Sequence, residues 1–348
     1  MDALKRFQQG CVIPAMPLAL NNRREWDERR QRALVRYYLA AGAGGLAVGV
    51  HTTQFAIRQT DYFRPLLALV MAEVEAFTAR NGTAVMCIAG ACGPAAQAVK
   101  EAELAKKLGY HAVMLSPGGL PDLTEAEMLA RTDAVLAVLP VVGFYLQPSV
   151  GGRLFTYDYW EKLCAKPGLI GIKAAPFNRY QTLDLVRAAA TSPRRDEIAL
   201  YTGNDDNILL DLLTEYAFTQ DGKTYKKGFV GGLLGHWAVW TKAAVQQLEM
   251  AKGLQGAKEI PAHLLTLAQE ITDTNAAFFD TANGFKGCIA GIHEVLRRQG
   301  LLEGTWCLDP DEALSPGQSE EIDRIYAMYP HLHDDEFVKT HLDEWLNG

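Results

Sequence analysis

The sequence predicts an α/β fold, a (β/α)8 TIM barrel with appended C-terminal helices. Eight short apolar runs alternate with amphipathic helical stretches. Each run is uniformly apolar, as in parallel strands that are covered on both faces. From the third run onward the runs recur about every 30 residues, which is the length of one βα unit. Eight such units in fewer than about 250 residues match the size of this barrel, and a doubly wound sheet is the alternative.

The predicted strands are the eight apolar runs themselves. Each is short and is followed by glycine, proline or polar residues, as expected for a strand that ends at a loop. The runs begin near Cys11, Gly45, Ala84, Ala112, Val141, Leu169, Ile198 and Gly228.

The predicted helices lie between these runs. The helix near residue 94 has Pro94 in its first turn and Gly109 just after its end, and Thr124 with Glu127 forms a capping pattern for the next. The predicted helices span residues 26–41, 94–108, 122–139, 178–190, 205–217 and 236–252.

The C-terminal part differs in composition from the repeating units. Residues 256–300 have a helical pattern throughout, and a polar tail is expected from Gly304. Since no linker precedes these helices, residues 1–255 are predicted to form the barrel and residues 256–348 a helical extension packed on it. A second small domain is the alternative.

Composition limits the classes of function. The chain has 348 residues, a net charge of −7 and a pI near 5.7, which argues against a nucleic-acid-binding surface. Its six cysteines form no CxxC pair, and we expect reduced thiols. Neither a signal peptide nor an apolar run of membrane-spanning length is expected, so a cytoplasmic location is predicted.

The most informative single residue is Lys173, at the end of the apolar run LIGIKAA. A lysine is rarely buried without a partner or a function, because removing an ammonium ion from water is costly. Desolvation lowers its pKa, so part of the amine is neutral and nucleophilic near pH 7. Such an amine forms a Schiff base with a carbonyl compound.

Other polar residues also follow the predicted strands. Active sites of these barrels lie at the C-terminal ends of the strands, so barrel closure would gather such residues around one mouth. They are His51, Thr52 and Thr53 after the second run, Tyr145 and Gln147 after the fifth, Asn204 and Asp205 after the seventh, and Gly231, Gly232 and Gly235 in or after the eighth. For Asn204 and Asp205 the expected role is to cap the helix that follows, and a contact to the substrate is the alternative.

Four of these segments together resemble a known family. They are GIKAA at 171–175, YLQPSVGG at 145–152, HTTQF at 51–55 and GFVG at 228–231. In this order, and at the ends of predicted strands, they resemble the dihydrodipicolinate synthase / N-acetylneuraminate lyase family of class I aldolases. The likeness covers about residues 8 to 300.

The resemblance implies a Schiff-base-forming lyase, either an aldolase or a dehydratase, that acts on pyruvate or a related 2-oxo acid. It implies that Lys173 is the nucleophile and that Tyr145 moves protons near the imine. It further implies that Thr52 and Thr53 bind the substrate carboxylate and that Val230 and Gly231 contact the carbonyl end. No metal or other cofactor is expected.

Departures from the family pattern predict a reaction other than that of dihydrodipicolinate synthase. The fourth strand is followed by Ser-Pro-Gly-Gly at 116–119, where that enzyme has a tyrosine, and Val150 occupies the place of an arginine. The candidate specificity residues are therefore His51, Arg153 and Phe55. A larger or more apolar second substrate is expected, as in the family's sugar-acid dehydratases and aromatic hydratase-aldolases, with an aldehyde as the candidate.

Two other functions stay open at this point. The glycine cluster after the eighth strand could bind a phosphorylated substrate, with Lys173 as a charge partner. A catalytically silent 2-oxo-acid-binding regulatory barrel is the other. By analogy with the family, a homo-oligomer, either a dimer or a tetramer, is expected.

Overall fold

The computed structural model describes residues 2–348, and its strands form a parallel barrel and a separate hairpin. The strands in these residues are β1 Val12–Pro14, β2 Gly45–Val48, β3 Met86–Ala91, β4 Ala112–Leu115, β5 Val141–Leu146, β6 Leu169–Ala175, β7 Ala199–Thr202, β8 Tyr216–Gln220, β9 Lys223–Lys227 and β10 Phe229–Leu234. The eight barrel strands follow the order β1-β10-β7-β6-β5-β4-β3-β2, all parallel. A parallel bridge between Ala15 and Ala47 joins the two ends of this order, so the predicted barrel is confirmed.

Helices alternate with the barrel strands and continue after the last one. In the described chain they are α1 Ala3–Gln9, α2 Glu28–Ala41, α3 Phe63–Asn81, α4 Ala95–Lys107, α5 Glu125–Leu136, α6 Tyr157–Cys164, α7 Arg179–Thr191, α8 Ile208–Leu213, α9 Thr241–Gly253, α10 His263–Phe278, α11 Cys288–Arg298, α12 Gln318–Met328 and α13 Asp335–Asn347. The start of α5 has the capping box read from the sequence, since Thr124 and Glu127 cap each other's backbone. None of these helices is long and apolar enough to cross a membrane.

The hairpin β8–β9 corrects the sequence prediction. The predicted helix over 205–217 is wrong at its end, because α8 stops at Leu213 and strand β8 starts at Tyr216. Asp221 and Gly222 form a two-residue turn with positive φ angles of 50° and 72°. Asp-Gly between strands is a strong hairpin signal, since both turn positions need positive φ. That signal was present in the sequence and was missed.

The C-terminal extension packs on the barrel helices through a buried polar contact. The carboxylate of Asp334 accepts hydrogen bonds from the Tyr37 hydroxyl, the Lys242 backbone and the Gln299 side chain at 2.8, 2.9 and 2.8 Å. The polar tail expected from Gly304 is wrong. Helices α12 and α13 lie in that segment, and the Trp345 side chain is buried against Tyr37.

The barrel has two apolar layers, and their separation decides which side chains can reach the mouth. Inside the barrel lie side chains such as Ile13, Ile88 and Leu233. A larger layer fills the space between the strands and the helices. Since side chains alternate along a strand, neighbours in sequence belong to different layers.

Candidate active site

Lys173 points into the barrel from β6. It pairs in register with Phe144 of β5, and its Nζ lies 4.6 Å from the centroid of that ring. The side chain is buried, with 7% of the residue exposed. No carboxylate oxygen of residues 2–348 lies within 4.0 Å of the ammonium, so no direct ion pair offsets its desolvation. The structure therefore places a buried lysine without an ion-pair partner at the end of this strand.

Burial sets the protonation state of this amine. Desolvation lowers the pKa of Lys173 to about 8, against a smaller opposing effect of the Asp205 carboxylate. At pH 7 roughly a tenth of the amine is then neutral, compared with about 0.03% for a lysine of ordinary pKa. The neutral form is the nucleophile, so the barrel interior raises its concentration several hundredfold.

A glycine makes room for the lysine side chain. A Cβ atom added to Gly203, just after β7, would lie 2.5 Å from Lys173 Cε and 2.9 Å from Ala175 Cβ. Cβ atoms in proteins essentially never make contacts this short. The absence of a side chain at Gly203 therefore leaves the space that the Lys173 side chain occupies.

The lysine ends in a cavity of about 50 Å³ at the C-terminal side of the barrel. A water needs roughly 10–15 Å³ on this measure, so the space beside the lysine has room for a few non-hydrogen atoms. The polar side chains that line it are His51, Thr52, Gln147, Lys173, Asp205 and Cys288. The apolar lining includes Val50, Phe144, Leu146, Val150, Ala175, Phe177, Phe279, Phe285, Ile289 and Ile292.

The two strand-two threonines have different positions. Thr52 lines the cavity, and its hydroxyl makes no hydrogen bond to any residue of the range 2–348. Thr53 does not line the cavity, because its hydroxyl donates to the Met16 carbonyl at 2.6 Å and accepts from the backbone of Gly49 and Val50 at 3.0 and 3.3 Å. Only Thr52 therefore has a hydroxyl available to a ligand. Thr53 instead holds the turn after β2.

His51 lies against the cavity and Phe55 does not. Burial, together with the nearby Lys173 charge, lowers the pKa of the His51 imidazole to about 4, so the ring is neutral at pH 7. Phe55 meets His51 edge-on at 5.9 Å and lines a neighbouring groove with Arg58. Val150 forms part of the wall between this groove and the cavity.

The structure does not bring the Tyr145 phenol to Lys173, and this corrects the sequence expectation. Tyr145 pairs with Ala174, one position beyond the Phe144–Lys173 pair, so its side chain lies on the opposite face of the strand. The ring packs 4.9 Å from Trp160 of α6. Its hydroxyl is buried and has no hydrogen-bond partner among the described residues.

The strand-eight residues named from the sequence also lie elsewhere. Val230 and Gly231 are in the N-terminal half of β10, where a Cβ on Gly231 would meet the Cys11 carbonyl at 2.4 Å. Neither lines the cavity, whereas Gly235 does. Contacts to a substrate at Val230 and Gly231 are therefore not supported by this geometry.

Arg153 is held by the loop before α5. Its guanidinium donates to the carbonyls of Leu120 and Leu123 at 3.3 and 2.5 Å and lies 5.4 Å from the centroid of the Phe155 ring. It does not line the cavity. In this structure Arg153 fixes a loop and makes no contact at the site.

Asp205 is the residue whose importance the sequence understated, since a helix cap was its expected role. It is 3% exposed and lines the cavity, and its Oδ1 accepts from the His236 backbone at 3.0 Å. Burial raises the pKa of its carboxyl to about 7, with the nearby Lys173 ammonium opposing the change.

The C-terminal extension completes the site. Phe279, Phe285, Cys288 and Ile289 come from the end of α10, the following loop and the start of α11, and all line the cavity. Their spacing along the chain has no barrel periodicity, and no sequence pattern predicted them at the mouth. Burial raises the pKa of the Cys288 thiol well above its ordinary value, so this cysteine is neutral at pH 7.

Comparisons with known proteins show the family to which the chain belongs. A model of the Dihydrodipicolinate synthetase family matches residues 8–217, which is more than half of the chain. No curated protein is significantly similar to the chain in sequence.

Solved structures are similar over nearly their whole length. Dihydrodipicolinate synthase from Oceanobacillus iheyensis superposes with a TM-score of 0.75 and 17% identity, covering 95% of this chain and 100% of that one. N-acetylneuraminate lyase from Fusobacterium nucleatum gives 0.72 and 17%, with 94% and 100% covered. Dihydrodipicolinate synthase from Acinetobacter baumannii, solved with pyruvate, gives 0.72 and 17%, with 91% and 98% covered. At this level of identity the likeness shows the shared fold.

Proposed function

Because this chain belongs to the dihydrodipicolinate synthetase family, a family of lyases, we propose that it forms a Schiff base between Lys173 and pyruvate or a related 2-oxo acid. The observation that supports this most strongly is the buried amine of lowered pKa at a cavity of about 50 Å³. Desolvation and confinement together favour imine formation over a simple charge contact.

The chemistry starts with the neutral amine. Lys173 Nζ attacks C2 of the 2-oxo acid, and the carbonyl oxygen leaves as water after taking up two protons. The protonated imine that remains withdraws electrons from C3. A bond at C3 can then break, either to hydrogen or to carbon, with its electron pair entering a C2–C3 double bond.

The substrate carboxylate needs donors that are already in place. The Thr52 hydroxyl lines the cavity and has no partner within residues 2–348, so it is available to donate to a carboxylate oxygen. Gln147 lines the same cavity and supplies a second donor. His51, neutral at pH 7, limits the space beside the lysine and is a candidate for specificity.

The apolar lining of the cavity favours an apolar second substrate or leaving portion. Phe177, Phe279, Phe285 and Ile292 belong to this lining, and among residues 2–348 no arginine or lysine other than Lys173 lines the cavity. A polyhydroxylated sugar chain would find few hydrogen-bond partners there. The small volume also fits a three-carbon acid better than a long one.

The direct test is reductive trapping. The protein is incubated with pyruvate and borohydride, and the peptide that contains Lys173 is examined by mass spectrometry for a covalent adduct. An adduct at this lysine is the expected result. If pyruvate and a panel of other 2-oxo acids leave Lys173 unmodified, the proposal is wrong, whereas an adduct without turnover would favour a silent binding protein.

The phosphate-binding alternative has less support. The glycines that suggested it are explained by packing, because a Cβ on Gly232 would meet the Trp237 ring at 2.6 Å and one on Gly235 would meet Phe279 at 2.7 Å. The carboxylate of Asp205 faces the same space and would repel a phosphate.

Gly203→Ala is expected to slow adduct formation by roughly 10²-fold, because the new methyl group displaces the lysine from its position. The measurement is the rate of borohydride-trapped adduct under saturating pyruvate. Gly253→Ala is the control, since a Cβ at that helix end meets no atom within 4 Å. Equal rates for the two variants would contradict the assigned role of Gly203.

A homo-oligomer and a cytoplasmic location stay predictions. Tyr180 and Leu183 of α7 are 82% and 41% exposed, and a contact between copies would cover such side chains. Light scattering of the purified protein measures the oligomeric state.

A further inference from the structure

The proposed chemistry requires a group that moves a proton at C3 of the imine. The phenol expected to do so, that of Tyr145, lies behind the strand and cannot reach the cavity. On the basis of the proposed function, we infer that Asp205 is the catalytic acid–base that takes and returns this proton.

The position of Asp205 suits this role. Its Oδ1 is held at 3.0 Å by the His236 backbone, while no hydrogen bond to Oδ2 occurs in the part of the chain described. The preceding residue, Asn204, is fixed by hydrogen bonds to Asp211 and to the Phe177 backbone at 2.9 and 3.1 Å. The carboxylate is therefore anchored by one oxygen and has the other available to a ligand.

The distance between the Asp205 carboxylate and the Lys173 amine also suits proton transfer at C3. Asp205 and Lys173 line one small cavity, yet their charged atoms are more than 4.0 Å apart. In the imine, C3 lies two bonds beyond Nζ, about 2.5 Å away by ordinary bond lengths. An oxygen beyond ion-pair distance from Nζ can thus be within reach of a C3 hydrogen.

The other polar groups of the cavity suit the task less well. The pKa of His51 is lowered to about 4, which makes the ring a weak base, and the Cys288 thiol stays protonated because burial raises its pKa. Burial raises the pKa of Asp205 to about 7, and a general base is most effective when its pKa is near the working pH.

The proton transfer is balanced within the site. The Asp205 carboxylate takes a proton from C3 and becomes a carboxylic acid. The C–H electron pair becomes the C2–C3 double bond, and the C–N π pair returns to Nζ as a lone pair, giving a neutral enamine. When the enamine attacks an aldehyde or is reprotonated, the acid returns its proton to the new alkoxide or to C3.

Two measurements separate this inference from the proposed function. Reductive trapping with pyruvate reports the imine, and loss of the pyruvate methyl signal in D2O, followed by proton NMR, reports exchange at C3. For Asp205→Asn we expect an adduct like that of the wild type and exchange slowed by roughly 10²-fold or more. Asp205→Glu should recover part of the exchange. Asp206→Asn is the matched control, since the neighbouring carboxyl is also largely buried but does not line the cavity.

Each outcome is informative. A wild-type protein without an adduct contradicts the proposed function itself. An adduct with wild-type exchange in Asp205→Asn overturns the inference, as does an adduct without any exchange in the wild type. Loss of the adduct in Asp205→Asn would overturn it too, because removing the carboxylate should make the amine more neutral. Exchange lost in Tyr145→Phe but kept in Asp205→Asn would assign the proton to the phenol.

Discussion

Lys173→Met is expected to abolish the trapped adduct and to slow proton exchange at C3 of pyruvate by roughly 10⁴-fold or more, because Lys173 is the one lysine of residues 2–348 that lines the cavity. Methionine has a similar length and suits the apolar walls, so the barrel should stay folded. The measurements are mass spectrometry after borohydride treatment and the rate at which the pyruvate methyl signal is lost in D2O. Lys162→Met, at an exposed lysine paired with Asp158, should leave both unchanged. An adduct that persists in Lys173→Met would place the nucleophile elsewhere.

The same substitution should change how stability depends on pH. The folded-state pKa of Lys173, about 8, lies below its ordinary value of 10.5. The unfolded state therefore binds more protons between these values, and wild-type stability gains up to about 3 kcal/mol from this group as the pH rises from 8 to 10.5. Lys173→Met lacks that gain. Denaturant unfolding of both proteins across this pH window measures the difference, and the same pH dependence in both would contradict the lowered pKa of Lys173.

Asp211→Ala is expected to cost about 3–5 kcal/mol in the free energy of unfolding, because it removes the acceptor for a buried group of donors. Asp211 is fully buried. Its Oδ1 accepts from Arg179 at 2.5 Å, Asn207 at 3.0 Å and Tyr216 at 3.2 Å, and its Oδ2 accepts from Thr202 at 2.7 Å and Asn204 at 2.9 Å. Urea unfolding monitored by circular dichroism is the measurement.

An exposed carboxylate gives the matched comparison. Asp184 pairs with Arg187, and both side chains are 46% exposed. Asp184→Ala should therefore cost no more than about 1 kcal/mol, since such pairs are screened by solvent. If Asp211→Ala costs as little as Asp184→Ala, the contacts of Asp211 are not important for stability. Because Asn204 holds the chain before Asp205, we also expect Asp211→Ala to slow proton exchange at C3.

The barrel was predictable because its evidence is local. Each strand is covered on both faces, so a few consecutive residues such as LIGIKAA carry the signal by themselves. The capping pair Thr124 and Glu127 acts over three residues, and it sets the start of α5 at Glu125, three residues after the predicted start at Asp122. The missed hairpin was also a local feature, since Asp221 and Gly222 set its turn.

The face of the strand on which each side chain lies was harder to predict. The pairing of β5 with β6 shifts by one residue between Val141 and Val142, so Phe144 instead of Tyr145 lies opposite Lys173. A shift of one residue moves a side chain to the opposite face. Tyr145 was therefore placed correctly at the end of its strand but not on the face that meets Lys173.

The sequence by itself determined the eight strands, the parallel barrel and the buried position of Lys173. A charged residue in a short apolar run is unusual, because burying a charge is costly unless it has a partner or a function. Only the tertiary structure decided what surrounds that lysine. Asp205 and Thr52 line the same cavity as the lysine, Tyr145 and Thr53 do not, and Cys288 of the C-terminal extension lines it as well. The physical reason is that strand register and the docking of distant helices depend on contacts between residues far apart in the chain, which local patterns do not encode.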